Sequence, residues 1–126
     1  MPIEHIRVSQ AARDQLATLK RRTGISNWNV LCRWAFCRSL GEEAPPPNIK
    51  LTLDSNLEMS WRTFSGDHGE IYWSLLRQRC INDRLPHDEE SLDQQFRLHL
   101  HRGIGYLVGD PRVIDVAGLA AVGLGD

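Results

Sequence analysis

The chain has 126 residues, 41% of them apolar and 25% charged, with a formal net charge of −1. That length fits one domain with a modest core, and the balance of residue types is that of an ordinary globular protein. It excludes a protein that is basic overall, but the charge is unevenly spread. Residues 1–38 carry seven basic side chains against two acidic ones, while residues 67–126 carry six basic against ten acidic. A bipolar chain of this kind can hold an anion at one end and keep the other surface acidic. Thirteen of the fifteen basic residues are arginine, which offers phosphate a planar fork of donors where lysine offers a point charge. Three cysteines (Cys32, Cys37 and Cys80), an odd count with no CxxC spacing, argue against a disulfide framework and a zinc site. They read as small buried residues of a reducing compartment. No basic, apolar leader opens the chain at Met1-Pro2-Ile3-Glu4. The apolar-rich stretch 113–125 is too short to span a bilayer and is interrupted by Asp115.

Residues 4–8 alternate, with Ile6 and Val8 on one side and His5 and Arg7 on the other, which predicts a short strand. Ser9 is placed to cap a helix over roughly 10–22, whose core stripe is Ala12, Leu16 and Leu19. Lys20, Arg21 and Arg22 fill its last turn, where cations suit the helix dipole, and Gly24 provides the left-handed cap. A second helix follows from Ser26 or Asn27 to about Leu40. Leu31, Trp34 and Ala35 form one apolar face, and Phe36, Cys37 and Leu40 another. A helix apolar on two sides is either central in the core or shared with another subunit. Trp34, Phe36 and Leu40 are therefore the expected oligomer contacts.

Three prolines at 45–47 make a stiff connector. Residues 49–53 and 57–64 both alternate around the turn residues Asp54-Ser55-Asn56, which predicts a hairpin. A third helix is expected over about 69–84 with Ile71, Leu75, Leu76 and Cys80 inward, ended by Pro86. A fourth begins at Asp88 with the stripe Leu92, Phe96, His99, Leu100 and Ile104, its end loosened by Gly103 and Gly105. The division expected is one domain over 1–108 and a Gly/Ala/Val-rich tail over 109–126. The fold class is α+β, mostly helical: a ribbon-helix-helix-like N-terminal half, a hairpin and two further helices.

Few residues suggest chemistry. His99 and His101 are two apart on a helix and so point roughly 200° apart, which keeps them from sharing one metal ion. Asp88, Glu89 and Glu90 sit where a first helical turn uses acids. No nucleophile elbow, P-loop or HExxH motif occurs, so the reading is non-enzymatic, with no catalytic residue, metal or cofactor expected. Nucleic-acid binding reads better. A strand followed by two helices, the first of them basic, matches the pattern of ribbon-helix-helix DNA binders, in which strands from two chains enter the groove. The candidate DNA-contacting residues are Arg13, Lys20, Arg21, Arg22, Asn27 and Arg33. Phosphate contact should dominate, giving weak sequence preference and strong salt dependence. Of the four tryptophans, Trp34 and Trp61 fit the core, and Trp28 beside the basic triplet is the candidate for base stacking.

The segment Arg-Arg-Thr-Gly-Ile-Ser-Asn-Trp-Asn-Val-Leu-Cys-Arg-Trp-Ala-Phe-Cys (21–37) resembles the signature of the DndE family of DNA sulfur modification proteins. Leu-Arg-Gln-Arg-Cys (76–80), Leu-Pro (85–86) and Gln-Phe-Arg-Leu-His-Leu-His-Arg-Gly-Ile (95–104) agree, and the similarity covers roughly 3–108. The resemblance implies a place in bacterial DNA phosphorothioation, where a non-bridging backbone oxygen is replaced by sulfur. Partner proteins, a cysteine desulfurase and an iron–sulfur protein, supply that sulfur. It also implies a cytoplasmic tetramer that binds duplex DNA, with a preference for nicks, through basic residues matching Arg13, Lys20, Arg21 and Arg22. With only Lys20 and Lys50 present, a lysine-based surface is not fully reproduced. The alternatives are a ribbon-helix-helix repressor of its own operon, a DNA-nicking nuclease and an adaptor that never touches DNA.

Overall fold

A computed structural model describes residues 3–124. Met1 and Pro2, and the last two residues of the expected tail, lie outside the described residues. Strand β1 (His5–Arg7) leads into helices α1 (Gln10–Thr23) and α2 (Trp28–Leu40), then strand β2 (Glu58–Ser60). Helices α3 (Trp61–Ser65), α4 (Gly69–Asn82), α5 (Glu89–Gly109) and α6 (Val116–Gly123) follow, with a 3₁₀ turn at Gly66–His68. The α+β class and the helical bias are as the sequence predicts.

Local chemistry sets α1 as expected. The Ser9 hydroxyl accepts from the Ala12 N–H at 3.1 Å, and Gly24 closes the helix at φ +74°. Ala12, Leu16 and Leu19 are buried. In β1 the alternation also holds: Ile6 is buried and His5 and Arg7 are exposed.

The ribbon-helix-helix arrangement is not confirmed by this chain. Its β1 pairs antiparallel with its own β2, with Ile6 opposite Met59 and Arg7 opposite Glu58. Arg7 is held by Glu58 at 2.6 Å and by the Ser55 carbonyl at 3.0 Å, and His5 Nδ1 lies 3.5 Å from Glu58. Both outward side chains of β1 thus face an acid of β2.

The expected hairpin is replaced as well. Residues 49–53 form no strand, and Ile49 is largely exposed. The turn residues instead brace the start of α1. Asp54 accepts from the Gln10 N–H, and the buried Ser55 hydroxyl donates to the Val8 carbonyl at 2.7 Å. Strand β2 stops at Ser60 because its hydroxyl caps α3, accepting from the Thr63 N–H at 3.0 Å.

Helix α5 is the spine, packed mainly on α2 and also on α1 and α4. Its predicted stripe is buried throughout. Gly103 does not loosen the helix, which runs on to Gly109. A Cβ at Gly103 would lie 1.7 Å from the Ala35 carbonyl oxygen, so only glycine permits this approach of α5 to α2. In α4, Leu76 and Cys80 point inward as predicted, but Ile71 and Leu75 are exposed. The helix lies at the edge of the bundle and buries only a narrow stripe.

The second apolar side assigned to α2 also needs correction. Phe36, expected at an oligomer contact, has no exposed surface. It sits among Phe64, Phe96 and Tyr72, with ring centroids 5.2–6.3 Å away. Its position on the helix puts it on the side facing α3, α4 and α5, so it offers nothing to a partner. Leu40 is half-buried, and the half-buried Trp34 meets α6 at Gly123. Leu119 of α6 is buried in the main core.

Candidate nucleic-acid interface

The corner between α1 and α2 brings three of the predicted groups together. Arg13 and Lys20 are seven residues apart on α1, two helical turns, and so share a side. Trp28 opens α2 directly across the Gly24 turn. Lys20 Nζ lies 4.8 Å from the Trp28 ring centroid and Arg13 Cζ lies 6.0 Å from it, both cation–π distances. The ring therefore packs its body on the core and presents its face to two cations. As a stacking surface for a base it is already occupied. Arg21 is exposed at the end of α1, and Asn27 is exposed as the backbone cap of α2, where its side chain makes no capping bond.

Two of the six candidates have other roles. Arg22 donates to the Val108 carbonyl at 3.1 Å, tying the end of α1 to the end of α5. Arg33 lies on the outward side of α2, where it lines a separate groove. Asn29, in the first turn of α2, donates to the Thr63 carbonyl at 3.1 Å and is structural. The basic patch thus reduces to Arg13, Lys20 and Arg21, backed by Trp28.

The groove on the outward side of α2 was not legible in advance. It has a volume of about 1000 Å³ and is walled by Tyr72 of α4 and by the end of α6. Arg33, Arg38 and Arg112 line it, and Trp34 forms part of its floor. Arg38 stacks on Tyr106 at 4.8 Å. Arg112 is paired with Asp110 at 2.8 Å and holds that carboxyl at about 2, well below the usual range. Cys32 and Cys80 are buried as expected, but Cys37 is exposed on the groove; partial desolvation there pushes its thiol and the Tyr72 phenol up, so both are neutral at neutral pH.

His99 and His101 are structural. The Ser39 hydroxyl accepts from Arg102 Nε at 2.8 Å and, on the tautomer this network assigns, donates to His99 Nδ1 at 2.8 Å. Burial and the nearby Arg102 and Arg79 charges lower His99 to about 4. His101 joins the Arg97 carbonyl on its own helix to the Ser9 N–H. Arg79 and Arg102 between them bond the carbonyls of Ser39, Leu40, Glu43 and Ala44, closing the C-terminus of α2. Asp88 caps α5 by position, with its carboxylate accepting from the Ser91 hydroxyl. Among the described residues, no group of three or more His, Cys, Asp or Glu side chains could hold a metal ion. No described helix is long and apolar enough to cross a membrane.

Fold and surface together define a small, mostly helical protein with a cationic, aromatic-backed corner. The family of DNA sulphur modification protein DndE matches residues 5–115, and the chain belongs to it. Two solved structures are similar. DndE from Escherichia coli B7A, involved in DNA phosphorothioation modification, is 27% identical, with a TM-score of 0.68 over 82% of this chain and 95% of that one. A DndE G21/24K mutant involved in DNA phosphorothioation is 25% identical, with a TM-score of 0.64 over 85% and 98%. Among curated proteins no match was found.

Proposed function

We propose that this chain is the DNA-binding, non-catalytic member of a bacterial phosphorothioation system. Its ligand is duplex DNA, held with a preference for nicks, and its partners are other phosphorothioation proteins and further copies of itself in a tetramer in the cytoplasm. The observation that carries the reading is the corner where Arg13 and Lys20 stand side by side on Trp28 next to the exposed Arg21. Fixing cations on a half-buried ring lowers the entropy they lose on meeting phosphate. Such a corner contacts backbone and reads little sequence. One small patch per subunit, repeated by symmetry, would let a chain of net charge −1 hold a polyanion. A nick makes the duplex easier to bend toward several patches at once.

The test is a salt series of binding to nicked and intact duplexes. Replacing Lys20 and Arg21 by Gln should weaken binding and reduce the salt slope by about one per lost phosphate contact. Arg22 is left in place because it anchors α5. Unchanged affinity in the folded variant would remove the patch from the interface. Equal affinity for nicked and intact duplex at matched salt would remove the nick preference.

A further inference from the structure

The outward groove of α2 is built for something other than a duplex backbone. Its arginines come from two segments, Arg33 and Arg38 on α2 and Arg112 ahead of α6, and no carboxylate is among the described residues lining it. The heads are placed by the fold rather than left to solvent. Arg38 rests on Tyr106, Arg112 is clamped by Asp110, and Arg33 Nη1 lies over Gly66, where an added Cβ would come within 3.2 Å of it. The rest of the lining is mostly apolar or aromatic. Gly123 lies so close to Trp34 that a Cβ would come within 2.5 Å of its ring, and this seats α6 as a wall on the indole. A bare phosphate ion would use the arginines and gain nothing from Trp34, Val122 or Leu124. An apolar peptide would use those and leave the arginines unmatched. The complementary ligand carries a phosphate and a flat ring a few ångströms apart.

We infer that this groove takes one unpaired nucleotide of a DNA strand, the phosphates on either side of it at Arg33 and Arg38 and its base against the Trp34 side of the groove. The inference rests on the reading that the protein binds DNA, but it uses a different surface from the Arg13–Lys20–Trp28 corner. A single nucleotide fits a cavity of this volume, whereas a base pair in a stacked duplex cannot enter it. Arginine forks suit a non-bridging phosphate oxygen pair, and an aromatic floor accepts any base.

The experiment uses the full chain and three probes: a short 5′-phosphorylated oligothymidine, free thymidine monophosphate and a covalently closed circular duplex. Binding is followed by tryptophan fluorescence and by anisotropy. The first variant is Leu124→Glu, at a highly exposed rim position where folding is not at stake. The second pairs Arg33→Gln with Arg38→Gln, with folding checked by circular dichroism. Both should weaken oligothymidine binding, the double variant by at least about tenfold, on the loss of two charge-assisted contacts. Closed-circle binding should change by less than about twofold, while Lys20→Gln with Arg21→Gln should show the reverse pattern. If wild-type protein binds oligothymidine but not the closed circle, the duplex reading fails and the groove stands. Absence of oligothymidine binding overturns the groove, as does equal loss of both probes in the Leu124→Glu variant. Thymidine monophosphate binding as tightly as the oligonucleotide would make this a free-nucleotide site and overturn the assignment to a DNA strand.

Discussion

The two sides of α2 obey different rules. The side facing α5 is dry and tightly fitted: Leu31, Cys32, Ala35, Phe36 and Ser39 are fully buried, and backbone meets backbone at Ala35 and Gly103. The outward side is cationic and half-open, with Arg33, Trp34 and Cys37 along a groove. A single thirteen-residue helix therefore serves as core wall and as groove wall. Its inner side specifies the fold through shape. The outer side carries charge that folding does not need, which makes it available for recognition.

The sharpest way to break this contrast is at Gly103. Gly103→Ala forces a Cβ onto the Ala35 carbonyl, and both groups are backbone-bound, so neither can rotate away. The α2–α5 pair must separate, at a cost of at least about 3 kcal/mol, near the upper end for overpacking. Urea unfolding should show the loss, or the variant should fail to accumulate as folded protein. A near-neutral result would mean that the two helices are not held at this distance.

The second test is pH. His99 on the inner side is held neutral, with a folded value of about 4 against an ordinary value near 6.5. A lowered value means that the unfolded chain takes up the proton first. The contribution is complete above pH 6.5 and is lost as pH falls from 6.5 toward 4. Linkage puts the loss at roughly 2 to 3 kcal/mol over that window. Urea midpoints at pH 7 and pH 4.5 measure it, and His99→Gln should flatten the slope. Some slope should remain, because burial also lowers His101. An unchanged slope in His99→Gln would show that the buried Ser39–His99–Arg102 network does not govern acid sensitivity.

Much of the inner side was readable from residues alone. The α1 stripe, the Ser9 and Gly24 caps and the whole α5 stripe follow from helical spacing and cap chemistry, which are local. What failed was non-local. Residues 49–53 alternate like a strand, but the partner of β2 is β1, some fifty residues earlier, and no spacing rule chooses between them. Ile71 and Leu75 looked inward because periodicity cannot tell a central helix from one at the edge. At the candidate site, the basic triplet marked the α1–α2 corner. Burial and hydrogen bonding then removed Arg22 from it and moved Arg33 to the groove. Arg112 and the α6 wall were missed because a Gly/Ala/Val-rich segment carries no periodic signal of its own.

The smallest effect offers the finest test, because it sits two residues from the largest. Gly105 is also inside α5, on a side where an added Cβ meets nothing within 4 Å. Glycine there only adds backbone entropy to the unfolded chain. Gly105→Ala should therefore stabilise the protein by about 0.5 to 1 kcal/mol, a rise of a few degrees in Tm. Opposite signs at 103 and 105 would show that the first glycine is required by the facing backbone and the second is merely tolerated by the helix. Destabilisation at 105 would point instead to a partner packed against that side of α5, and a tetramer that closes over Gly105 would supply one. Thermal melts of the two single variants, run at protein concentrations well above and well below assembly, separate those cases.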